Sequence, residues 1–396
     1  MGNNRFYTAD GFCDVMPGMC KFKKESEEKL RELFTTYGYK EIETPGIEYM
    51  DVYTDGDFVD AEELYKLVDK KGRLISARYD GTIPAARFAA TIMKDVNPPL
   101  RLCYIENMYR FDQIGGGKQS EFTQAGVELL GASGSLSEAE VIALAIRACL
   151  AIGVNDLQIS IGQVKLFEGV MRQLGVSKKQ AESIKDAIDS KDLVSLDRIA
   201  RELMLSDFDK ETILMLVELQ GGQEVIDKLM ARVADEGAIA ALKNIAEVLK
   251  ILDEYGYAKY VTVDFGLLGS LDYYTGMIFK GFTYEVGFPI VSGGRYDNVM
   301  KTFGRELESV GFSMSLSLVM TALMRQGTSM PEPKVEVIVG YDNSVEGARA
   351  GAIKYAQDLR EQGTIVVLDV NNLSHEQLDE FASKNEIDVV VFIDEV

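Results

Sequence analysis

Between Cys20 and Tyr37 apolar residues recur every three or four positions among Lys and Glu, and Gly38 follows, which predicts an amphipathic helix closed by a glycine. Tyr39 to Thr44 reads as a strand stopped by Pro45. Glu63 to Arg78 predicts two strands around a turn at Asp69 to Gly72, the second delivering Arg78, Tyr79, Asp80, Gly81 and Thr82 to a helix over Ile83 to Met93. Cys103 to Gly131 predicts a strand, a reversal at Gly115, Gly116 and Gly117, where adjacent glycines supply positive φ, and a second strand. A helix to about Ala151 is expected to open with a capping box of Ser135 and Glu138, and Leu157 to Ile161 returns as a strand.

From about Phe167 to Tyr255 the period is helical throughout, with a capping signal at Ser177. Strands resume at Tyr260 and continue as a meander through the tyrosine-rich segment LDYYTGMIFKGFTYEVG and the glycine-rich SGGRYD. RQGTSMPEP, from Arg325 to Pro333, punctuates the chain as a linker. Beyond it the pattern is strand, helix, strand, helix, strand, a small three-layer α/β unit with a parallel sheet. The chain therefore divides into an α+β core in two parts, residues 1–166 and 257–328, a helical insert at 167–256, and an α/β domain at 334–396.

Charge and composition narrow the function. With 42 Lys and Arg against 63 Asp and Glu, the net charge of -21 would repel a polyanion over most of the surface, so nucleic acid is not an expected partner. In the last domain, from Lys334 on, 5 basic residues face 13 acidic ones. No apolar run approaches a membrane span and the first residues lack a secretory pattern, so a cytoplasmic location is expected. Cys13, Cys20, Cys103 and Cys149 share no CxxC spacing, and the single histidine, His375, follows a capping Ser374 in the first turn of a helix. No metal site and no cofactor are expected.

Candidate binding chemistry concentrates in the hairpin. Phe122, Gln124, Gly126 and Glu128 alternate with Thr123, Ala125 and Val127, so Gln124 and Glu128 face one side of a period-2 strand. Arg110 on the incoming strand is expected as their cross-strand companion. A carboxamide, a carboxylate and a cation on one floor suit a zwitterionic amino acid, although such a hairpin can also simply turn in solvent. Asp80 and Thr82 sit at a helix N-terminus, where they either cap the helix or hold a polar ligand. Tyr273, Tyr274 and Tyr296 carry phenols able to satisfy a buried polar ligand, or serve as strand residues only. GGGKQ is not a Walker A loop, because Asp112 stands where its first glycine belongs and Gln119 follows Lys118.

Together with GYKEIETP, LDYYTG and SGGRYD, this hairpin resembles the class II aminoacyl-tRNA synthetase core, in particular that of histidyl-tRNA synthetase. The resemblance implies an antiparallel sheet core with a helical insert, and a C-terminal domain like a shortened anticodon-binding domain. It implies homodimerisation through the helix and strand of GYKEIETPGIE, a pattern equally compatible with core building alone. It also implies that Asp80 and Thr82 meet the amino group of histidine, with Gln124, Glu128, Tyr274 and Tyr296 in the same pocket, and that Arg110 matches the arginine set on the α-phosphate of ATP.

Departures are as informative. The segment Gly311 to Leu323 has no cation, and Leu318 stands where the resemblance expects the arginine for the γ-phosphate. Gly269 replaces the arginine that polarises the histidine carboxylate, and at the hairpin's further basic positions stand Gln113, Lys118 and Ser120, of which only Lys118 keeps a charge. Such a pocket would hold histidine without activating it. ARYDGTIPAARF and QSEFTQAGVELLGA are similar to the regulatory subunits of ATP phosphoribosyltransferase. That resemblance implies a chain with no catalytic residue, which partners the short-form catalytic subunit and mediates feedback by histidine at the first step of histidine biosynthesis. It also makes the C-terminal α/β domain an expected departure from the family.

Overall fold

The computed structural model describes residues 6–111, 119–269 and 273–395. The triple-glycine turn with Gln113 and Lys118, and Ser270, Leu271 and Asp272, lie outside the described residues. Two compact units are present, one running through Val15 and over Phe22–Ser329, the other over Met16–Lys21 and from Met330 onward.

The first helix, α1 (Pro17–Thr36), which belongs to the larger unit from Phe22 on, stops where Gly38 takes a φ of 78°. The following strand, β1 (Lys40–Glu41), is shorter than its apolar pattern suggests, because Thr44 turns its N–H and hydroxyl onto the Glu106 carboxylate, at 2.7 and 3.0 Å. Next come β2 (Ile47–Tyr49), α2 (Asp51–Thr54), β3 (Lys66–Val68) and β4 (Leu74–Ala77), the strands forming a small antiparallel sheet in the order β2-β4-β3. Its β3–β4 turn is held by Asp69, which accepts from the N–H groups of Lys71 and Arg73. Then α3 (Thr82–Thr91) leads into the long hairpin β5 (Leu100–Tyr109) and β6 (Glu121–Leu130).

The next helix, α4 (Gly134–Ala151), is apolar and buried along most of its length, with Leu136 and Arg147 exposed. Its expected capping box does not form. The Glu138 carboxylate accepts from Arg295 at 2.7 Å and from Asn244 at 2.8 Å, and Ser135 accepts from Asn244 at 3.1 Å, so tertiary partners outcompete the local cap. After β7 (Gln158–Gln163) come α5 (Val164–Gln173), α6 (Lys178–Asp189), α7 (Leu193–Glu202), α8 (Asp207–Glu218), β8 (Gln220–Gly221), α9 (Gln223–Met230) and α10 (Glu236–Glu254). This helical stretch contains one element that its period does not signal, the two-residue β8, which pairs with β9 (Val261–Asp264). The unit continues with β10 (Met277–Phe282), β11 (Val291–Arg295), α11 (Asp297–Thr302), β12 (Ser309–Ser315) and α12 (Leu316–Arg325).

The main sheet has nine strands in the order β1-β5-β6-β12-β11-β10-β7-β9-β8, antiparallel except for the β1–β5 and β7–β9 pairs. It is an α+β core, with the centre of the sheet buried on both faces. Leu100, Leu102 and Leu130 pack with Ile83, Ala86 and Ala89 of α3 and with Val299 and Met300 of α11. Phe34 of α1 meets Phe312 edge-on at 6.2 Å.

The smaller unit holds β13 (Val337–Tyr341), α13 (Ala348–Glu361), β14 (Val366–Leu368), α14 (His375–Lys384) and β15 (Val389–Ile393), with a parallel sheet in the order β14-β13-β15. Alternate residues of β13 face opposite helices: Val337 and Val339 pack on α13, and Ile338 packs on α14. Ser374 caps α14 with a reciprocal capping box to Gln377, and exposed His375 stacks on Phe392 at 4.8 Å.

Candidate functional site

Strand register brings the pocket side chains together. Along β6, Gln124 lies opposite Glu106 of β5 and Ser315 of β12, while Glu128 lies opposite Leu102 and Gly311. Gln124 and Glu128 therefore point to the same face, toward α3. There the Gln124 carboxamide oxygen accepts from the Gly81 N–H at 3.2 Å, tying β6 to the start of the helix. Asp80 caps α3 through the Ile83 N–H at 3.2 Å, and its side chain also lines the cavity.

The cavity measures about 260 Å3 and is lined by Asp80, Thr82, Arg110, Gln124, Tyr274 and Tyr296 among others. That is smaller than the roughly 300–1,000 Å3 of a drug-sized site. Glu128 lies beneath it, 1% exposed. Tyr104 donates to one of its oxygens at 3.1 Å, and Tyr296 makes a short hydrogen bond to the other. Two glycines make this fit. A Cβ on Gly311 would fall 2.0 Å from Glu128 Oε2, and one on Gly126 would fall 2.4 Å from the Tyr104 hydroxyl.

Arg110 departs from expectation. It sits beyond the end of β5, opposite Ser120 in the register, and no hydrogen bond joins it to Gln124 or Glu128 among the described residues. Its guanidinium is held over the rings of Tyr79 at 4.6 Å and Phe122 at 5.1 Å, and Nε donates to the Tyr79 carbonyl at 3.2 Å. Stacking between two aromatic faces fixes its plane at the cavity wall. The Glu128 carboxyl has phenols for partners instead of a cation.

Tyr104 was not singled out by sequence reasoning. Its signal was the small residue facing it: Tyr104 is paired with Gly126, but that pairing can be read only once the length of the turn sets the register. The phenol cluster continues through Tyr273, whose ring centroid lies 5.0 Å from that of Tyr274 and 5.9 Å from that of Tyr296.

The electrostatics follow from this burial. Desolvation pushes the Glu128 carboxyl up to about 8, against the pull of hydrogen bonds from Tyr296, Thr82 and Tyr104. Desolvation likewise raises Asp80 to about 6, with Arg110 and the Ile83 N–H pulling it back. Tyr104, Tyr273 and Tyr296 are raised well above the ordinary phenol range by burial and the nearby carboxylates. The cavity thus has one carboxyl, Asp80, in its wall and a second, Glu128, buried beneath it, with a single cation, Arg110, among its described lining residues.

Leu318, in the place expected for the γ-phosphate arginine, is buried in α12, where its N–H bonds the Ser315 hydroxyl that caps the helix. Gly269 has a φ of 61°, a conformation that an arginine side chain would strain. Among the described residues no group of three or more His, Cys, Asp or Glu is placed to hold a metal ion, and no helix is long and apolar enough to cross a membrane. Cys13 and Cys20 are exposed and free, and Cys103 and Cys149 are buried and free.

This sheet, hairpin and pocket define a class II synthetase-like protein of the histidyl-tRNA synthetase type, and the histidyl-tRNA synthetase family profile matches residues 11–319. The chain is 42% identical to the ATP phosphoribosyltransferase regulatory subunit of Acetivibrio thermocellus, over 97% of this chain and 91% of that one. It is 39% identical to the Ruminiclostridium cellulolyticum subunit, over 99% and 93%. A solved structure described as an ATP phosphoribosyltransferase regulatory subunit/histidyl-tRNA synthetase from Bacillus halodurans superposes with a TM-score of 0.89 at 30% identity, covering 99% of each chain. A histidyl-tRNA synthetase from Nostoc shares the fold, with a TM-score of 0.83 at 22% identity over 99% of this chain and 92% of that one. The chain belongs to the family of ATP phosphoribosyltransferase regulatory subunits, whose members are named for regulation and not for catalysis. The C-terminal α/β domain is not a departure from them, because these alignments run through nearly the whole chain.

Proposed function

We propose that this chain binds histidine in the Glu128 cavity and transmits its presence to the short-form catalytic subunit of ATP phosphoribosyltransferase, which it enables when histidine is scarce and restrains when it is abundant. The observation that carries this reading is a cavity that keeps acceptors for an ammonium and phenols for an imidazole in Asp80, Thr82, Gln124, Tyr274 and Tyr296, with Glu128 beneath, while Arg110 is the one cation among its described lining residues and Leu318 stands where a γ-phosphate clamp would need a second. Arg110, in the cavity wall, would meet the carboxylate. No residue of this chain acts on the phosphoribosyl group. Two copies pair through α1 and the segment Gly38 to Glu48, before any partner is added.

The test mixes this chain with a cognate short-form catalytic subunit and assays phosphoribosyl transfer with and without histidine. The chain alone is expected to be inactive and to sediment as a dimer at micromolar concentration. The mixture should exceed the catalytic subunit alone and should be inhibited by histidine. Absence of activation would remove the regulatory reading, and activation without a histidine response would remove the effector site.

The raised carboxyls add a pH dependence. Above the ordinary carboxylate range, the folded ligand-free chain keeps a proton on Asp80 up to about pH 6 and on Glu128 up to about pH 8 that the unfolded chain gives up, so these groups' contribution to stability falls as pH rises through those windows. A bound ammonium favours their ionised forms and offsets that loss. Thermal stabilisation by saturating histidine should therefore grow from pH 6 to pH 8. The ligand's own imidazole also titrates in this window, so the same series on Glu128→Gln, which should be flatter, separates the two. Parallel curves for the two proteins would contradict the assignment.

A further inference from the structure

We infer that Arg305, remote from the cavity, is a positioning residue for effector recognition, because it clamps the far ends of the two helices whose near ends line the site; this rests on the histidine reading above. The near ends are clear. Asp80 and Thr82 stand at the start of α3, and Tyr296, which bonds Glu128, is the residue before α11. The two helices pack against each other through Ile83, Ala86 and Ala89 on one side and Val299 and Met300 on the other.

At the far end α11 closes with Gly304 at a φ of 76°. The Gly304 N–H bonds the Lys301 carbonyl at 2.9 Å, and the Arg305 N–H bonds that of Met300 at 3.2 Å. That is the Schellman pattern, and it fixes the backbone from which the Arg305 side chain departs. The guanidinium then crosses to α3. One Nη donates to the carbonyls of Ala89 at 2.9 Å and Met93 at 3.0 Å, and the other donates to that of Val96 at 2.7 Å. These carbonyls lie in the last turn of α3 and just past it, where acceptors lack helical partners and partial negative charge gathers.

One planar, half-buried cation thus joins the closing turn of α11 to the closing turn of α3, across more than 200 residues of chain. A helix of ten residues is about 15 Å long, so a small tilt at the clamped end displaces Asp80 and Thr82 at the other. Gln124 and Glu128 ride on the sheet and would stay in place. Loosening Arg305 should weaken the contacts made by the α3 end and spare those made by the β6 floor.

The experiment compares two ligands, histidine and imidazolepropionate, the same molecule without the amino group that Asp80 and Thr82 are proposed to meet. Calorimetry on the full chain should show Arg305→Gln losing about tenfold in histidine affinity, with imidazolepropionate affinity unchanged, so that the ratio between the two ligands collapses. Arg305→Lys, which returns a cation to the helix ends, should restore much of that ratio, and Arg305→Met takes the place of Arg305→Gln if that variant does not fold. A merely structural arginine would lower both affinities together. An unchanged ligand ratio in the folded variant that lacks the cation overturns the role of Arg305 while leaving the histidine site standing. A parent chain that binds neither ligand overturns the histidine reading, and this inference with it.

Discussion

Glu128→Gln should raise the histidine concentration needed to half-inhibit the heteromeric complex by about tenfold to a hundredfold while leaving activation of the catalytic subunit intact. The estimate comes from one buried charge-assisted hydrogen bond, worth about 1.5–3 kcal/mol. Glutamine keeps the shape and still accepts from Tyr104 or Tyr296, so the phenol cluster should hold together. What it cannot do is become an anion when an ammonium or imidazolium arrives, and with the carboxyl raised to about 8 that conversion is what the ligand drives. Activation depends on assembly, and Glu128 is closed off from any partner at 1% exposure. Steady-state inhibition curves of the reconstituted complex decide the matter, and an unchanged histidine response would sink the pocket assignment.

The second large effect is on stability. Arg78→Met should cost about 3–5 kcal/mol, because it strands a buried carboxylate. The Arg78 guanidinium meets Glu106 at 2.7 Å, with side chains 8% exposed on both partners, and donates to the carbonyls of Thr44 and Asn107. It thereby joins three segments: the end of the GYKEIETP motif, the hairpin strand β5, and the loop that presents Tyr79 and Asp80 to the cavity. Replacing both partners, Arg78→Met with Glu106→Leu, should recover part of the loss, since no unpaired charge is then left inside. Denaturant unfolding of the single and double variants provides the measurement. A single variant within 1 kcal/mol of the parent would show that the pair is hydrated in solution and not buried.

A local repeat or a local turn is what made much of this protein legible from its residues. The α1 helix with Gly38, the Asp69 turn, the capping box of Ser374 and the strand-helix alternation of the C-terminal unit each depend on neighbours within a few positions. The shared face of Gln124 and Glu128 is likewise a consequence of the two-residue period of a strand, and the missing cations of Gly311 to Leu323 need only be counted.

Tertiary structure decided whatever depended on a partner distant in the chain. Ser135 and Glu138 spell a capping box, yet Arg295 and Asn244, more than 100 residues away, take those side chains because a buried carboxylate gains more from a guanidinium than from a backbone N–H at a helix end. Arg110 was expected beside Gln124, but the register of the hairpin sets it opposite Ser120, and two aromatic faces hold it there. Tyr104 gave no signal until Gly126 was placed across from it. The raised pKa values of Glu128 and Asp80 belong to the fold alone, since desolvation comes from the walls around a side chain, and those walls are drawn from separate stretches of the sequence.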